Sequence, residues 1–339
     1  MNDSWKDYQQ ILELEDPKKI QKILKEAYNI KMKNFGNLLK IYFPDKKFPA
    51  ISITGNNCAL NCEHCNEKYL NGMKPIVSNE DLECFLKEHI KDGGVGVLIS
   101  GGCDEEGAVP LKSFLDTVKK IKKNNELIIN VHTGLLDEDT AKKLAEAKVD
   151  IVSFDVNLDR EIIQNIYHLD KQVHDYKQAI QVLKKYNLNV IPHICIGLHY
   201  GEIHKELEAL EFIKKININP SLIVLIALIP PKKKATEFKT PTPYDIAKIA
   251  SITRFMFPKT EISLGCMRPR RKIKIDVEIN AIKSGITRIE MPSPQTLKKL
   301  RTYDNDIKFQ IFTACCAIPE KYEQIATAKT QKYYNYLKI

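Results

Sequence analysis

The chain has 339 residues, of which 43% are hydrophobic and 28% are charged, and its mean hydropathy is −0.30. This composition is typical of a globular protein, and no apolar run approaches the roughly 18 residues of a membrane-spanning helix, so no membrane association is predicted. Much of the net charge of +9 lies on lysines in helical patterns, without the interleaved aromatic residues of a nucleic-acid site, and no nucleic-acid partner is predicted.

The cysteine content indicates the compartment. There are nine cysteines, an odd number in a chain too large to need disulfides for its stability. The first residues, MNDSWKDYQQ, lack the apolar core and the small-residue cleavage site of a secretory signal. We therefore expect a cytoplasmic protein, in which clustered thiols indicate metal ligands rather than disulfides.

Short β-branched runs alternate with amphipathic helical segments along most of the chain. Met1–Pro49 is a predicted helical N-terminal cap, and Ser293–Ile339 is a predicted C-terminal extension. Helical segments such as LDEDTAKKLAEAK begin with an acidic turn, which is typical of a helix start. The eight predicted strands are Ala50–Thr54, Val95–Ser100, Leu127–Val131, Asp150–Asp155, Asn189–Gly197, Leu222–Ile229, Glu261–Gly265 and Thr287–Met291.

Eight strands that alternate with helices favour an α/β fold. We predict a complete (β/α)8 barrel of the TIM type over residues 50–292, in one domain with terminal additions. An open doubly wound sheet is the alternative. In a barrel the functional site forms where the strands end and the βα loops begin, so the residues just after each strand are the candidates.

The stretch NCALNCEHCN follows the first predicted strand and gathers three thiols, those of Cys58, Cys62 and Cys65. A structural zinc site is normally closed by four ligands, and His64 lies inside the motif, where it would strain a shared tetrahedron. Three thiolates on one loop suit three irons of a [4Fe–4S] cluster and leave the fourth iron open for another ligand. A zinc-binding scaffold protein is the competing class.

This loop, Cys58-Ala-Leu-Asn-Cys62-Glu-His-Cys65, resembles the cluster loop of the radical S-adenosylmethionine (SAM) superfamily. The resemblance implies a [4Fe–4S] cluster whose open iron chelates SAM. It also implies that SAM is cleaved to a 5′-deoxyadenosyl radical, which removes hydrogen from an unactivated carbon. The family usually has an aromatic residue before the third cysteine, and His64 takes that place here.

Other strand ends resemble the same superfamily. The resemblance implies contacts to SAM from a glycine pair, from polar side chains and from a further glycine, because such positions suit a zwitterion and a ribose diol. The charge of an arginine suits the SAM carboxylate. These predicted cofactor-binding residues are Ser100, Gly101, Gly102, Asp155, Asn157, Asp159, Gly197 and Arg268. Cys103 stands where the family usually has an acidic residue.

The chain is most similar to the biotin-synthase subgroup, whose namesake holds a second, sulfur-donating cluster on three cysteines and an arginine. Two of those cysteine positions are Asn130 and Ile191 here, so that [2Fe–2S] site is not expected to be preserved, although Arg268 remains. The candidate ligands for a second Fe–S cluster in this chain are Cys103, Cys266, Cys315 and Cys316.

The segments SGGC and GCMRP further resemble the two-component, archaeal-type lipoyl synthases. This resemblance implies sulfur insertion into an octanoyl chain on a lysine of an acidic lipoyl carrier domain. It also implies a second radical SAM subunit and an electron donor of the ferredoxin or flavodoxin type. The alternative is a radical SAM mutase or metallocofactor-maturation enzyme of the same subgroup, without sulfur transfer.

Overall fold

The computed structural model describes residues 5–234 and 236–328. The helices, in chain order, are α1 (Trp5–Leu12), α2 (Pro17–Phe35), α3 (Asn79–Lys91), α4 (Leu115–Lys122), α5 (Glu138–Glu146), α6 (Val173–Lys185), α7 (Glu206–Lys215), α8 (Pro243–Met256), α9 (Lys274–Lys283), α10 (Pro294–Tyr303) and α11 (Glu323–Ala326). The strands are β1 (Leu38–Tyr42), β2 (Ala50–Ser52), β3 (Lys74–Pro75), β4 (Gly96–Ser100), β5 (Ile128–His132), β6 (Ile151–Asp155), β7 (Val190–Ile196), β8 (Leu222–Ala227), β9 (Glu261–Leu264), β10 (Arg288–Glu290) and β11 (Lys308–Phe312).

The chain divides into two compact units, and the division falls inside β7. The first unit takes its described residues from the ranges 5–43, 193–312 and 327–328, and the second from 44–192 and 313–326. Both units are built from parallel strands and helices, so the predicted α/β class is confirmed. None of the helices in the described ranges has the length and apolar character needed to cross a membrane.

In the second unit the parallel strands run in the order β3-β2-β4-β5-β6. The apolar side chains of β5 are fully buried, since Ile128, Ile129 and Val131 are 0% exposed. Helix α5 begins where the sequence predicts, because the Asp137 carboxylate accepts the Thr140 N–H at 2.7 Å and caps the first turn.

In the first unit the parallel order is β7-β8-β9-β10-β1-β11. All eight predicted strands are present, but β1, β3 and β11 were not predicted. β1 lies inside the predicted helical cap, and β11 lies inside the predicted C-terminal extension.

The unpredicted strands change the predicted topology. β10 pairs with β9 on one edge and with β1 on the other. β2 pairs with β4 and with β3. The first and last of the eight predicted strands therefore have both edges occupied inside their own units, whereas a complete eight-stranded barrel pairs them with each other. The complete (β/α)8 barrel is not confirmed.

Candidate metal and cofactor site

The three-cysteine loop leaves the sheet at the carboxyl end of β2, in the second unit. Ile53 still donates its N–H to the Ser100 carbonyl of β4, at 2.8 Å. The chain then turns at Gly55, whose φ of +63° lies in the left-handed region that favours glycine. Ser52 Oγ donates to the Gly55 carbonyl at 2.6 Å, and this bond fixes the turn. Cys58 follows directly, at the edge where parallel strands place functional residues.

The loop after β4 is bonded to the cysteine loop at three points. Gly102 donates its N–H to Thr54 Oγ1 at 2.7 Å. The N–H of Cys103 donates to Cys58 Sγ at 3.3 Å, and the Cys103 carbonyl accepts the N–H of Ala59 at 2.7 Å. These bonds hold both loops in one arrangement. The position of Cys103 is therefore fixed relative to Cys58.

Gly102 is required by close packing rather than by its backbone angles. A Cβ atom at this position would lie 2.1 Å from the Asn57 carbonyl oxygen and 2.6 Å from both Cα and Cβ of Cys58. No real Cβ atom approaches its neighbours so closely, so any larger residue would displace the cysteine loop. The structure thus places the predicted Gly102 against the predicted metal ligands.

The other two cysteines lie in a tightly turned segment. Asn66 and Glu67 both have positive φ, 46° and 57°, and this conformation turns successive N–H groups toward the Cys65 sulfur. Burial raises the pKa of the Cys65 thiol, while the N–H groups of Tyr69, Glu67 and Lys68 act in the opposite direction by bonding to the sulfur. Such N–H groups stabilise a sulfur that carries negative charge, as a metal-bound thiolate does.

The thiols lie close enough for their charges to interact. Burial raises the pKa of Cys62 to about 12, and negative charge on Cys65, Cys58 and Cys103 acts in the same direction. Burial also raises the pKa of Cys103 to about 12, and negative charge on Cys58 is the next largest cause of the increase. A metal that replaces the thiol protons removes this mutual repulsion, because thiolates are the ligating form. The residues present therefore fit an iron–sulfur cluster.

The carboxyl end of β6 brings polar groups to the same unit. Asn157 is buried, and its Oδ1 accepts the Asp159 N–H at 3.1 Å, while its Nδ2 has no hydrogen-bond partner among the described residues. Asp159 accepts the N–H groups of Glu161 and Ile162, so its carboxylate begins the next turn. An unsatisfied buried amide N–H₂ is costly, and a ligand atom that accepts from it would remove that cost.

Two histidines and one carboxylate complete this region. Burial lowers the pKa of His64 to about 4, and the nearby Asp155 carboxylate acts in the opposite direction. Burial also lowers the pKa of His132, again opposed by Asp155. Both rings are therefore neutral near pH 7. The His64 ring lies 5.5 Å from the Tyr167 ring, centroid to centroid, so an aromatic surface borders the loop.

A cavity of about 380 Å³ opens beside the cysteines, in the size range of small-molecule sites. It is lined by Thr54, Asn57, Cys58, Ala59, Glu67, Gly102, Cys103, Asp104 and Pro110. The sequence prediction did not include Thr54 or Tyr167. Thr54 ends a predicted strand and could have been found by that signal, whereas Tyr167 follows no predicted strand.

Two predicted cofactor-binding residues of the first unit have other contacts. Gly197, with φ +74°, donates its N–H to Glu206 Oε1 at 2.7 Å, and an added Cβ would lie 2.4 Å from Pro241 Cγ. It therefore forms a close-packed turn. A contact to SAM stays a prediction for Gly197, as it does for Ser100 and Gly101.

Arg268 is buried, and its guanidinium is fully engaged by protein groups. It donates to Glu278 Oε1 at 2.6 and 3.2 Å and to the carbonyls of Gly265, Glu290 and Met291. A guanidinium has five N–H donors, and these contacts occupy all its nitrogens. These contacts join α9 to the ends of β9 and β10, and a contact of Arg268 to SAM or a cluster stays a prediction.

The remaining predicted metal ligands are spread over both units. Cys266 follows β9 in the first unit and is half-buried. Cys315 and Cys316 lie in the second unit between β11 and α11, and Cys316 is 3% exposed. Their role as ligands of a second cluster stays a prediction. Cys103, predicted as a member of the same set, is bonded to the Cys58 loop, and its role as a ligand of a second cluster also stays a prediction.

Comparison with known proteins agrees with this site. The family model of the radical SAM superfamily matches residues 52–228, which include the cysteine loop, Gly102 and Asn157. The biotin synthase of Buchnera aphidicola subsp. Acyrthosiphon pisum (strain APS) is 23% identical over 224 residues, which are 64% of this chain and 64% of that protein. The biotin synthase of Bacillus cytotoxicus is 25% identical over 274 residues, 75% of each chain.

Two solved structures share the fold. Methylornithine synthase (PylB) has a TM-score of 0.60 and 19% identity, over 84% of this chain and 81% of that one. HydG, a maturase of the [FeFe]-hydrogenase, has a TM-score of 0.64 and 18% identity, over 97% of this chain and 75% of that one.

Proposed function

Because the chain belongs to the radical SAM superfamily, we propose that it is a radical SAM enzyme that inserts sulfur at an unactivated carbon, as a component of a lipoyl synthase. The proposed substrate is an octanoyl chain on a lysine of an acidic lipoyl carrier domain. A second radical SAM subunit is the proposed partner, and reduced ferredoxin or flavodoxin is the proposed electron donor. The chain spans about 64% of the length of the first biotin synthase that it matches, so activity, substrate and partners belong to the proposal.

The three thiols on the loop that follows β2 carry the radical SAM part of this proposal. Cys58, Cys62 and Cys65 lie on one loop, and backbone hydrogen bonds join that loop to Gly102 and Cys103. Sulfur ligands that receive backbone N–H groups suit an iron–sulfur cluster, whose potential depends on such bonds. Three thiols on that loop leave one iron of a [4Fe–4S] cluster open, whereas a structural zinc site is closed by four fixed ligands.

When bound, the cluster and SAM would supply the 5′-deoxyadenosyl radical that abstracts hydrogen from the substrate. The chain contributes binding and orientation. Gly102 leaves room for the loop and for backbone approach, and Asn157 offers an N–H₂ group that has no protein acceptor. The neutral ring of His64 can lie against an adenine without burying a charge.

Sulfur insertion is supported by the similarity to biotin synthases and by the cysteines that the first cluster leaves unused. Cys266, Cys315 and Cys316 are candidates for ligands of a second, sulfur-donating cluster. The net charge of +9 is compatible with an acidic carrier protein. The SGGC and GCMRP segments support lipoyl synthesis as the specific reaction.

One observation favours a radical SAM enzyme without sulfur transfer, either a mutase or a metallocofactor-maturation enzyme. Asn130 occupies a position where biotin synthase has a cluster cysteine. In this chain Asn130 is fully buried, and its Oδ1 accepts from Ser153 Oγ at 2.9 Å. An amide in that place provides no thiolate for a second cluster inside the sheet.

Metal content and product mass separate these alternatives. Two [4Fe–4S] clusters contain about eight irons and one contains about four, so the counts on anaerobically reconstituted protein decide whether a sulfur donor exists. The protein is then incubated with SAM, reductant and an octanoylated lipoyl-domain peptide, with and without the candidate partner. Mass gain from sulfur, absent in Cys62→Ala, is the expected result. No gain under either condition, in protein that cleaves SAM, would remove the lipoyl proposal.

A further inference from the structure

Cys103 is the fourth thiol of the candidate site, and nothing in the proposed reaction uses it. Two backbone hydrogen bonds join Cys103 to the cysteine loop. Its N–H donates to Cys58 Sγ, and its carbonyl accepts the N–H of Ala59. Its Cα is therefore held beside Cys58. None of the described residues forms a hydrogen bond with the Cys103 thiol.

The surroundings of Cys103 differ from those of a packing cysteine. Cys103 and Cys58 line the same cavity of about 380 Å³, together with polar residues such as Thr54 and Glu67. Cys103 is half-buried, whereas Cys316 is only 3% exposed. A thiol on a residue that lines this cavity beside Cys58 can reach a group bound by the three-cysteine loop.

Three cysteines leave one iron of a [4Fe–4S] cluster without a protein ligand. Building on the proposed function, we propose that the Cys103 thiolate is an exchangeable fourth ligand, bound to that iron until SAM displaces it. Cys103 would thereby protect the cluster between turnovers and lower the apparent affinity for SAM.

The exchange balances without any change in oxidation state. When Cys103 binds, its S–H bond breaks, the proton goes to solvent and a sulfur–iron bond forms. When SAM arrives, its amino and carboxylate groups take the iron, the sulfur–iron bond breaks and the thiolate takes a proton from solvent. A site blocked by Cys103 in about nine of ten molecules would bind SAM about tenfold more weakly than a free one.

The test compares Cys103→Ala and Cys103→Ser with wild type, using Cys84→Ala as the control for loss of a thiol. Cys84 is exposed on α3. Each protein is reconstituted anaerobically without SAM and then mildly oxidised, and the [3Fe–4S] signal is followed by electron paramagnetic resonance. SAM affinity is measured separately by equilibrium binding.

We expect both Cys103 variants to lose the fourth iron faster than wild type and Cys84→Ala, and to bind SAM about tenfold more tightly. Oxidation rates and SAM affinities equal to wild type, at equal iron content, would overturn the proposal. Loss of the whole cluster in both Cys103 variants would make Cys103 a permanent ligand and would overturn the exchange. If a variant that lacks all three loop cysteines, Cys58→Ala, Cys62→Ala and Cys65→Ala, retains the cluster, the proposed function fails instead, because the loop then does not hold the iron.

Discussion

The packing at Gly102 gives a prediction whose size follows from the structure. In Gly102→Ala the new Cβ would lie 2.1 Å from the Asn57 carbonyl oxygen, whereas ordinary contacts begin near 3.4 Å. The cysteine loop must therefore move by about 1.3 Å. The ligands of a functional site have to stay within about 0.5 Å of the positions in which they bind. A displacement of this size is therefore large enough to disturb cluster binding.

We expect Gly102→Ala to reduce iron incorporation and SAM binding strongly, and to lower the free energy of unfolding by about 1–3 kcal/mol, as overpacking does. The assay is the iron and sulfide content after anaerobic reconstitution, followed by SAM binding and urea unfolding. Gly72→Ala is the matched control, because a Cβ there has no heavy atom within 4 Å. If both variants incorporate equal amounts of iron and bind SAM equally well, the packing argument is refuted.

Three further predictions concern a ligand contact, a buried ion pair and a buried lysine. Asn157→Ala should weaken SAM binding by up to about tenfold in equilibrium titrations, because one hydrogen bond contributes about 0.5–1.5 kcal/mol; unchanged affinity would remove the proposed contact. Glu278→Ala should cost about 3–5 kcal/mol in urea unfolding, since it leaves the buried Arg268 unpaired; a loss below 1 kcal/mol would contradict the pairing. Burial, followed by the charge of Arg254, lowers the pKa of Lys31 from 10.5 to about 8. Between about pH 8 and pH 10.5 the unfolded chain therefore binds more protons than the folded chain does. The free energy of unfolding should rise with pH over this range, by at most about 3 kcal/mol. The same pH series on Lys31→Met should lack this rise, and identical curves would refute the shift.

The strands that could be predicted are those marked by local pattern. All eight predicted strands exist, because β-branched runs bounded by helical segments carry their own signal. Leu38–Tyr42 was missed because it directly follows a long helix and its neighbours, β10 and β11, come from residues 288–290 and 308–312. Such pairing depends on contacts far apart in sequence.

The residues of the candidate site could be predicted from the sequence, but which of them lie next to one another could not. From the sequence alone, the spacing of Cys58, Cys62 and Cys65 indicates a cluster in which one iron has no protein ligand. The partner of Cys103 depends on how β4 lies beside β2, which spacing alone does not specify. Arg268 shows the same limit, since its carboxylate partner is Glu278 on α9, which the sequence position of Arg268 does not specify.

Cleavage of SAM tests the central claim most directly. The anaerobically reconstituted and reduced protein is incubated with SAM, and 5′-deoxyadenosine is quantified, with Cys62→Ala as the control. We expect 5′-deoxyadenosine from the wild-type protein and none from the variant. A wild-type protein that assembles a cluster on Cys58, Cys62 and Cys65 and forms no 5′-deoxyadenosine, or one that holds zinc there, would contradict the central claim.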